Sequence, residues 1–396
     1  MKIGVEGKND YALYGRRGMG HRRAKAARRR SIQRFLLAMS VIVVVVAIGL
    51  YYMFALPEPT TSPAAQAQAS ASVKPLERTA LLAPLNLPAD DTPHGSRMEW
   101  WYYNGILKAD SGERYAFHVA LFVANGLVKQ TVMHAALTDL QTGERHISQS
   151  RTGGEPTRRD GDGFDFSDGG WQIAVAGQQQ QVRVPLDGAT LTLDLGDTRT
   201  PVAHRAAGSQ TPGLIDFGAS GISYYYSRPR MQAQGQVVIG DRVVPVRGDV
   251  WFDHQWGDFD VLSLGWNWFA LHLDNGADLM LYQLFDKTGR KVVTAGTVSD
   301  ARGATPIEPG QVSIKPAGNW TSPKTGVPYV VEWDITLPSG VLHVKPLAVS
   351  SEFDSSATTA NIYWEGPVQV SGSAKGEGFL ELSGYDRLNS ARSAAK

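Results

Sequence analysis

The sequence predicts an all-β protein: two antiparallel β-barrels carried behind one N-terminal transmembrane helix. Three observations predict this. Past residue 81 the helical period is almost absent, and short aromatic and β-branched runs alternate with turn signals. A loose internal echo divides that region in two. Ahead of it lies an uncharged apolar run long enough to cross a bilayer.

Residues 1–34 form a basic cytoplasmic segment. They hold eleven Lys and Arg, including Arg28-Arg29-Arg30, against Glu6 and Asp10 as the only acids. The near-neutral total, +1, hides this asymmetry. Residues 35–56 follow as the transmembrane helix, and the 21 residues from Leu36 to Leu56 carry no charge. At about 1.5 Å per residue they just span a hydrocarbon core of roughly 30 Å. A nucleic-acid-binding arm is the competing reading of the basic cluster. Placed against an apolar span, it reads as a positive-inside signal instead. Ala64, Ala65 and Ala67 suit a cleavage site, but the run is longer than a signal h-region, which favours an uncleaved anchor. The expectation is a single-pass protein of the cytoplasmic membrane, its N-terminus in the cytoplasm and its C-terminal domains periplasmic or extracellular. Residues 57–80, rich in Pro, Ala, Ser, Thr and Gln, read as a flexible linker.

Residues 81–228 and 229–396 are the two predicted barrels. Tyr115–Leu121, Thr131–Leu137, Thr190–Leu195, Gln236–Ile239, Phe269–Leu273, Leu279–Phe285, Tyr329–Thr336 and Leu342–Leu347 read as strands. Asn125-Gly126, Gln141-Thr142-Gly143, Asp187-Gly188, Asn275-Gly276 and Lys287-Thr288-Gly289 supply residues that accept φ > 0 in tight hairpins. The echo sets Glu99-Trp100-Trp101-Tyr102, with its hairpin Tyr115–Leu137, beside Gly265-Trp266-Asn267-Trp268 and Phe269–Phe285. Gly153–Gly170 reads as a surface excursion. The chain has no cysteine, so its exported domains must be stable without disulfides, and thiol chemistry is excluded.

Pro93-His94-Gly95-Ser96-Arg97-Met98-Glu99-Trp100-Trp101-Tyr102-Tyr103-Asn104-Gly105 opens a series of motifs. Tyr224-Tyr225-Tyr226-Ser227 with Arg230-Met231 follows, then Gly248-Asp249-Val250-Trp251-Phe252-Asp253-His254-Gln255-Trp256-Gly257. Gly265-Trp266-Asn267-Trp268-Phe269, Leu279-Met280-Leu281-Tyr282-Gln283, Tyr363-Trp364-Glu365-Gly366 and Glu381-Leu382-Ser383-Gly384-Tyr385 complete it. In this order, across about 84–385, the motifs resemble the AttH-like, lipocalin-like family that includes the carotenoid hydratases (hydroxyneurosporene synthases). The resemblance implies a pair of lipocalin-like barrels. It also implies acid-catalysed hydration of an alkene, or lipid carriage beside an ABC-type transporter permease, since AttH-like proteins are often encoded next to such permeases.

Alternation along a strand puts Trp251 and Asp253 on one face and Phe252, His254 and Trp256 on the other. An imidazole beside an indole can move a proton and stabilise a cation, as hydration requires. No cofactor is needed for that chemistry. His254, Asp253 and Tyr282 are the candidate catalytic residues. Trp251, Trp256, Trp266, Trp268, Glu99, Trp101 and Tyr225 are the candidate ligand-binding residues. In the hydratases His-x-Trp is followed by Tyr-x-Asp. His254, Trp256 and Tyr282 fit, but Leu284 stands in place of the acid and Asp286 lies two further on. The plainer reading makes the tryptophans barrel core, with Asp253 and His254 satisfying one another. Glu99 shares a strand face with Trp101. It reads either as a buried acid with a raised pKa or, the favoured alternative, as the salt-bridge partner of Arg97 or another basic group. Glu381 reads as a packing carboxylate.

The nine histidines show no His-x-His or His-Glu-x-x-His spacing, so no metal site is expected. Gly218-Ala219-Ser220-Gly221-Ile222 misses the second glycine of a nucleophile elbow. The aromatics do not sit among basic residues, which argues against nucleic acid as a partner. Leu284 in place of the acid favours a carrier of a lipid or isoprenoid, or a transporter accessory, with a hydratase-like enzyme as the alternative. All three share a lipophilic ligand and a membrane location.

Overall fold

The computed structural model describes residues 82–159, 162–205 and 211–387. The basic segment 1–34, the apolar run 35–56 and the linker 57–80 lie outside the described residues. Among the described residues no helix is long and apolar enough to cross a membrane. All of them belong to one compact unit, Val73–Lys396.

The chain from Met98 to Ser383 is almost entirely strand, in two curled antiparallel half-barrel sheets. Sheet one begins with β1 (Met98–Ala109), β2 (Arg114–Asn125), β3 (Lys129–Asp139) and β4 (Arg145–Gly153). Then come β5 (Thr157–Arg158), β6 (Phe164–Asp168), β7 (Trp171–Ala176), β8 (Gln179–Leu186) and β9 (Ala189–Asp197). The short strands β10 (Val202–Ala203) and β11 (Leu214–Asp216) pair with β12 (Gly221–Ile239), and β13 (Arg242–Phe259) ends the sheet. The spatial order is β4-β3-β2-β1-β13-β12-β9-β8-β7-β6-β5.

Sheet two holds β14 (Leu264–Leu273), β15 (Asp278–Asp286), β16 (Lys291–Asp300) and β17 (Gly303–Pro306). It continues with β18 (Ser313–Thr321), β19 (Pro328–Leu337), β20 (Gly340–Pro346), β21 (Glu352–Asp354), β22 (Ile362–Gly372) and β23 (Gly376–Ser383). Its order is β17-β16-β15-β14-β23-β22-β20-β19-β18, with β21 on β22.

All five predicted turns sit at hairpin tips. Gly143, Gly188, Gly276 and Gly289 adopt φ of 75°, 69°, 86° and 77°, a region that penalises any Cβ. The predicted closure is replaced by a curl. Neither hydrogen-bonded path returns to its start, although β3 and β4 approach β8 across the first core. The junction expected at 228/229 falls inside β12. The change of sheet comes between Phe259 and Leu264, so the Trp251–Trp256 motif belongs to the first half. The 228/229 position is instead a register shift between Arg228 and Met231, where Pro229 has no N–H for the ladder. The stretch 153–170 is no bare excursion, since it contains β5 and β6.

Each sheet wraps one core. Trp101, Phe117, Leu191 and Phe252 are buried inside sheet one, and Phe269, Trp333, Val368 and Leu380 inside sheet two. The opposite faces pack against each other through a third cluster that includes Tyr102, Ala120, Tyr225, Trp251, Trp268 and Tyr282. This explains why β8 alternates between buried and more exposed residues while most of β1, and β13 from Val250 onward, are buried on both faces. The other sheet covers what would otherwise be a solvent face.

Candidate functional site

The back-to-back packing is incomplete and leaves a cavity of about 530 Å³ between the sheets. Cross-strand register lays one row of side chains on each wall. On sheet two the row is Glu365 (β22), Glu381 (β23), Trp268 (β14) and Tyr282 (β15), each directly opposite the next. On sheet one it is Ala120 (β2), Tyr102 (β1), Asp253 (β13) and Ser227 (β12). Trp100, Phe122, Phe259, Trp266 and Leu284 add apolar surface around these rows, while His134, Arg151, Gln255 and Arg387 are among the polar residues that complete the lining.

Three carboxyls therefore lie in an aromatic, low-dielectric setting. Asp253 Oδ1 accepts hydrogen bonds from Trp251 Nε1 (2.6 Å) and the Ser227 hydroxyl. Its Oδ2 accepts one from Tyr225 Oη (2.7 Å), which in turn accepts one from Trp268 Nε1 (2.9 Å). Burial lifts Asp253 to about 7 against those three hydrogen bonds. Glu365 and Glu381 face each other across the β22–β23 ladder, where two like charges repel. Burial, then the charge of Glu381, holds Glu365 well above the carboxylate range, although Tyr102 donates a hydrogen bond to it. Burial and the Asp253 charge lift Glu381 to about 7, opposed by a hydrogen bond from Trp266. Two such groups cannot both ionise cheaply, so the pair keeps a proton near neutrality. Tyr282 Oη is buried in the cavity wall with no partner among the described residues.

The predicted site residues divide between the two faces of sheet one. Asp253, Tyr282, Trp266, Trp268 and Tyr225 line the cavity, and Trp251 supports Asp253 from behind. His254, Trp256, Trp101 and Glu99 lie on the other side, inside the curl of sheet one. His254 and Trp256, which the motif groups with Tyr282, thus face a different space from it. The alternation along β13 sends them the opposite way from Asp253.

Within that curl His254 Nε2 and His94 Nδ1 each lie 2.8 Å from Glu99 Oε1. Glu99 is not a raised acid: it pairs with basic groups, as the second reading expects, but these are His94 and His254 rather than Arg97. Burial pushes its carboxyl up, but the hydrogen bonds and charges of His254 and His94 bring it down to about 2. His254 is pushed below the ordinary imidazole range by burial, which outweighs the help of Glu99. Glu365, Tyr102 and His134 are cavity residues that no spacing in the sequence announced. One local signal points at the carboxyls: Glu365 is the single acid of β22, and Glu381 lies between Leu380 and Leu382 in the buried end of β23.

The AttH-like family model matches residues 79–385. A crystal structure of an AttH protein from Nitrosomonas europaea superposes with a TM-score of 0.68 at 28% identity, covering 77% of this chain and 100% of that one. Kievitone hydratase from Nectria haematococca shares the fold, with a TM-score of 0.62 at 18% identity over 77% of this chain and 94% of its own. No curated protein matches the chain significantly.

Proposed function

The chain belongs to the AttH-like family, and on that footing we propose that the inter-sheet cavity binds a lipophilic, unsaturated molecule and adds water across a C=C bond. One observation carries this reading: Glu365 and Glu381 set directly opposite each other in an aromatic cavity that also holds Asp253. The acid that Leu284 fails to supply is supplied from neighbouring strands. In the proposed step the Glu365 proton goes to one alkene carbon, and the π pair forms the new C–H bond. The other carbon becomes a cation, flanked by the faces of Trp100, Trp266 and Trp268. Water adds to it through an oxygen lone pair, and its released proton passes to Asp253 Oδ2, which has a single hydrogen-bond donor. Tyr282 Oη, without a partner among the described residues, is placed to hold that water. Kievitone hydratase, by its name a hydratase, is consistent with such chemistry on this fold.

A second reading, a carrier or transporter accessory, is favoured by Leu284 and uses the same cavity without turnover. Both readings predict an occupant. Mass spectrometry of organic extracts from the purified chain is expected to find a lipid or isoprenoid at near-stoichiometric amount. Ala120→Trp, which puts an indole on the cavity wall beside Tyr102, is expected to abolish it. Equal recovery from both proteins would place the ligand elsewhere.

We also propose that the N-terminal span holds the sheets at the membrane outside the cytoplasm. A reporter active only beyond the membrane is then expected to work after Lys396 and not before Phe35. The reverse pattern overturns the orientation.

A further inference from the structure

We propose that His94, Glu99 and His254 form a binding site for a divalent transition-metal ion inside the curl of sheet one. The site lies on the face of sheet one opposite the cavity and does not depend on the function proposed above. Glu99 and His254 sit on neighbouring positions of paired strands, since Glu99 pairs with Trp256 and His254 with Trp101. His94 comes from the segment before β1, and its backbone N–H donates to Glu99 Oε2 (2.8 Å). That leaves Glu99 Oε1 as the atom on which both rings converge, each at 2.8 Å.

The outer partners of the two rings favour the tautomers that turn a lone pair toward Glu99. Tyr226 donates its hydroxyl proton to Asp91, which also accepts two hydrogen bonds from Arg228. The contact between Tyr226 Oη and His254 Nδ1, at 3.3 Å, must then be filled by an Nδ1–H donor. In the neutral ring that leaves a lone pair on Nε2, aimed at the anionic Glu99 Oε1. On His94, Nε2 is buried without a hydrogen bond and faces Asp90 Oδ1 at 3.6 Å. A hydrogen on Nε2 suits that carboxylate and puts the second lone pair, on Nδ1, against the same Glu99 oxygen. Protons on the two rings can fill these contacts, and a metal ion can take their place, because two imidazole nitrogens and a carboxylate oxygen lie within 4.8 Å of one another.

A metal ion satisfies all three at once. Asp90 and Tyr226 then become the outer partners that fix each ring's tautomer, as is usual for metal-bound histidines. Trp256 stacks on His94 at 3.8 Å and Trp101 on His254 at 4.7 Å, so both rings are held in place. His94 keeps 18% of its side-chain surface open, which gives the ion an entry path. Two imidazoles and one carboxylate, in a chain without cysteine, suit zinc and its first-row neighbours. The ion would pin the segment before β1 to β13.

The test uses the full chain with any affinity tag removed, stripped with a chelator and titrated with ZnCl2 or CoCl2. We expect one equivalent of Zn²⁺ to bind and raise the melting temperature, and Co²⁺ to give the visible bands of a low-coordinate nitrogen–oxygen site. His94→Ala and Glu99→Gln should each weaken binding at least about tenfold, while His343→Ala, an exposed histidine elsewhere, should not. His94 is partly exposed, so its variant keeps the question answerable if Glu99→Gln fails to fold. No uptake at micromolar metal, or equal uptake by His94→Ala, overturns the site and leaves a cluster held by protons alone.

Discussion

Glutamine in place of Glu365 is expected to lower turnover of an acyclic isoprenoid alkene by about 10²–10⁴-fold, the usual contribution of a positioned general acid. The substitution keeps the shape of the side chain and its contact with Tyr102, so binding of the same alkene should survive. The pH profile is the sharper readout. Asp253, lifted to about 7 by burial, must be ionised to take the proton of water, so the rate should climb as pH rises through about 7. Glu365, held higher by burial and by Glu381, must keep its proton, so the rate should fall again at more alkaline pH. Because these carboxyls interact, the two limbs report the group rather than single residues. Asp253→Asn should remove the acidic limb along with most of the rate. Full turnover in Glu365→Gln sinks the assignment of the acid. A wild-type chain that binds the alkene without hydrating it leaves the carrier reading standing.

Methionine in place of Arg228 is expected to cost about 3–5 kcal/mol of stability, read as a lower midpoint in chemical denaturation. Arg228 is almost wholly buried between Asp91 and Asp197. Its Nη2 donates to both Asp91 oxygens, at 2.9 and 2.8 Å, and its Nη1 donates to Asp197. Removing the guanidinium leaves two buried carboxylates facing no cation, and that penalty dominates. Lysine should recover only part of the loss, because one ammonium cannot reproduce the fork that spans two carboxylates. The effect should be confined to folding and to the segment before β1, which Asp91 anchors. A loss below about 1 kcal/mol would mean that water reaches these carboxylates in the native state.

Both substitutions lie where the sequence was hardest to read. Arg228 stands in the Ser227-Arg228-Pro229-Arg230 stretch, where the register shift at Pro229 resembles a break between domains. Strand β12 runs straight through it, since a bulge bends a strand without ending it. Glu365 and Glu381, sixteen residues apart, each read along the chain as an acid flanked by apolar or small residues, with nothing to link the two. They become a proton-sharing pair only once β22 and β23 take the register that sets them opposite each other.

What the sequence determined by itself is what depends on neighbours along the chain. Period-two alternation and glycine turns gave an all-β chain, the hairpin tips at Gly143, Gly188, Gly276 and Gly289, and the split of Asp253 from His254 across one strand. The ordered aromatic motifs gave the family. Tertiary structure alone decided what each face meets. Whether Asp253 points at solvent or at a second sheet depends on the packing of 264–383 against 98–259. Whether Glu99 becomes a raised acid or an anion depends on His254, 155 residues away. Such contacts are set by strand register and sheet packing, and neither leaves a periodic trace in the residues that finally touch.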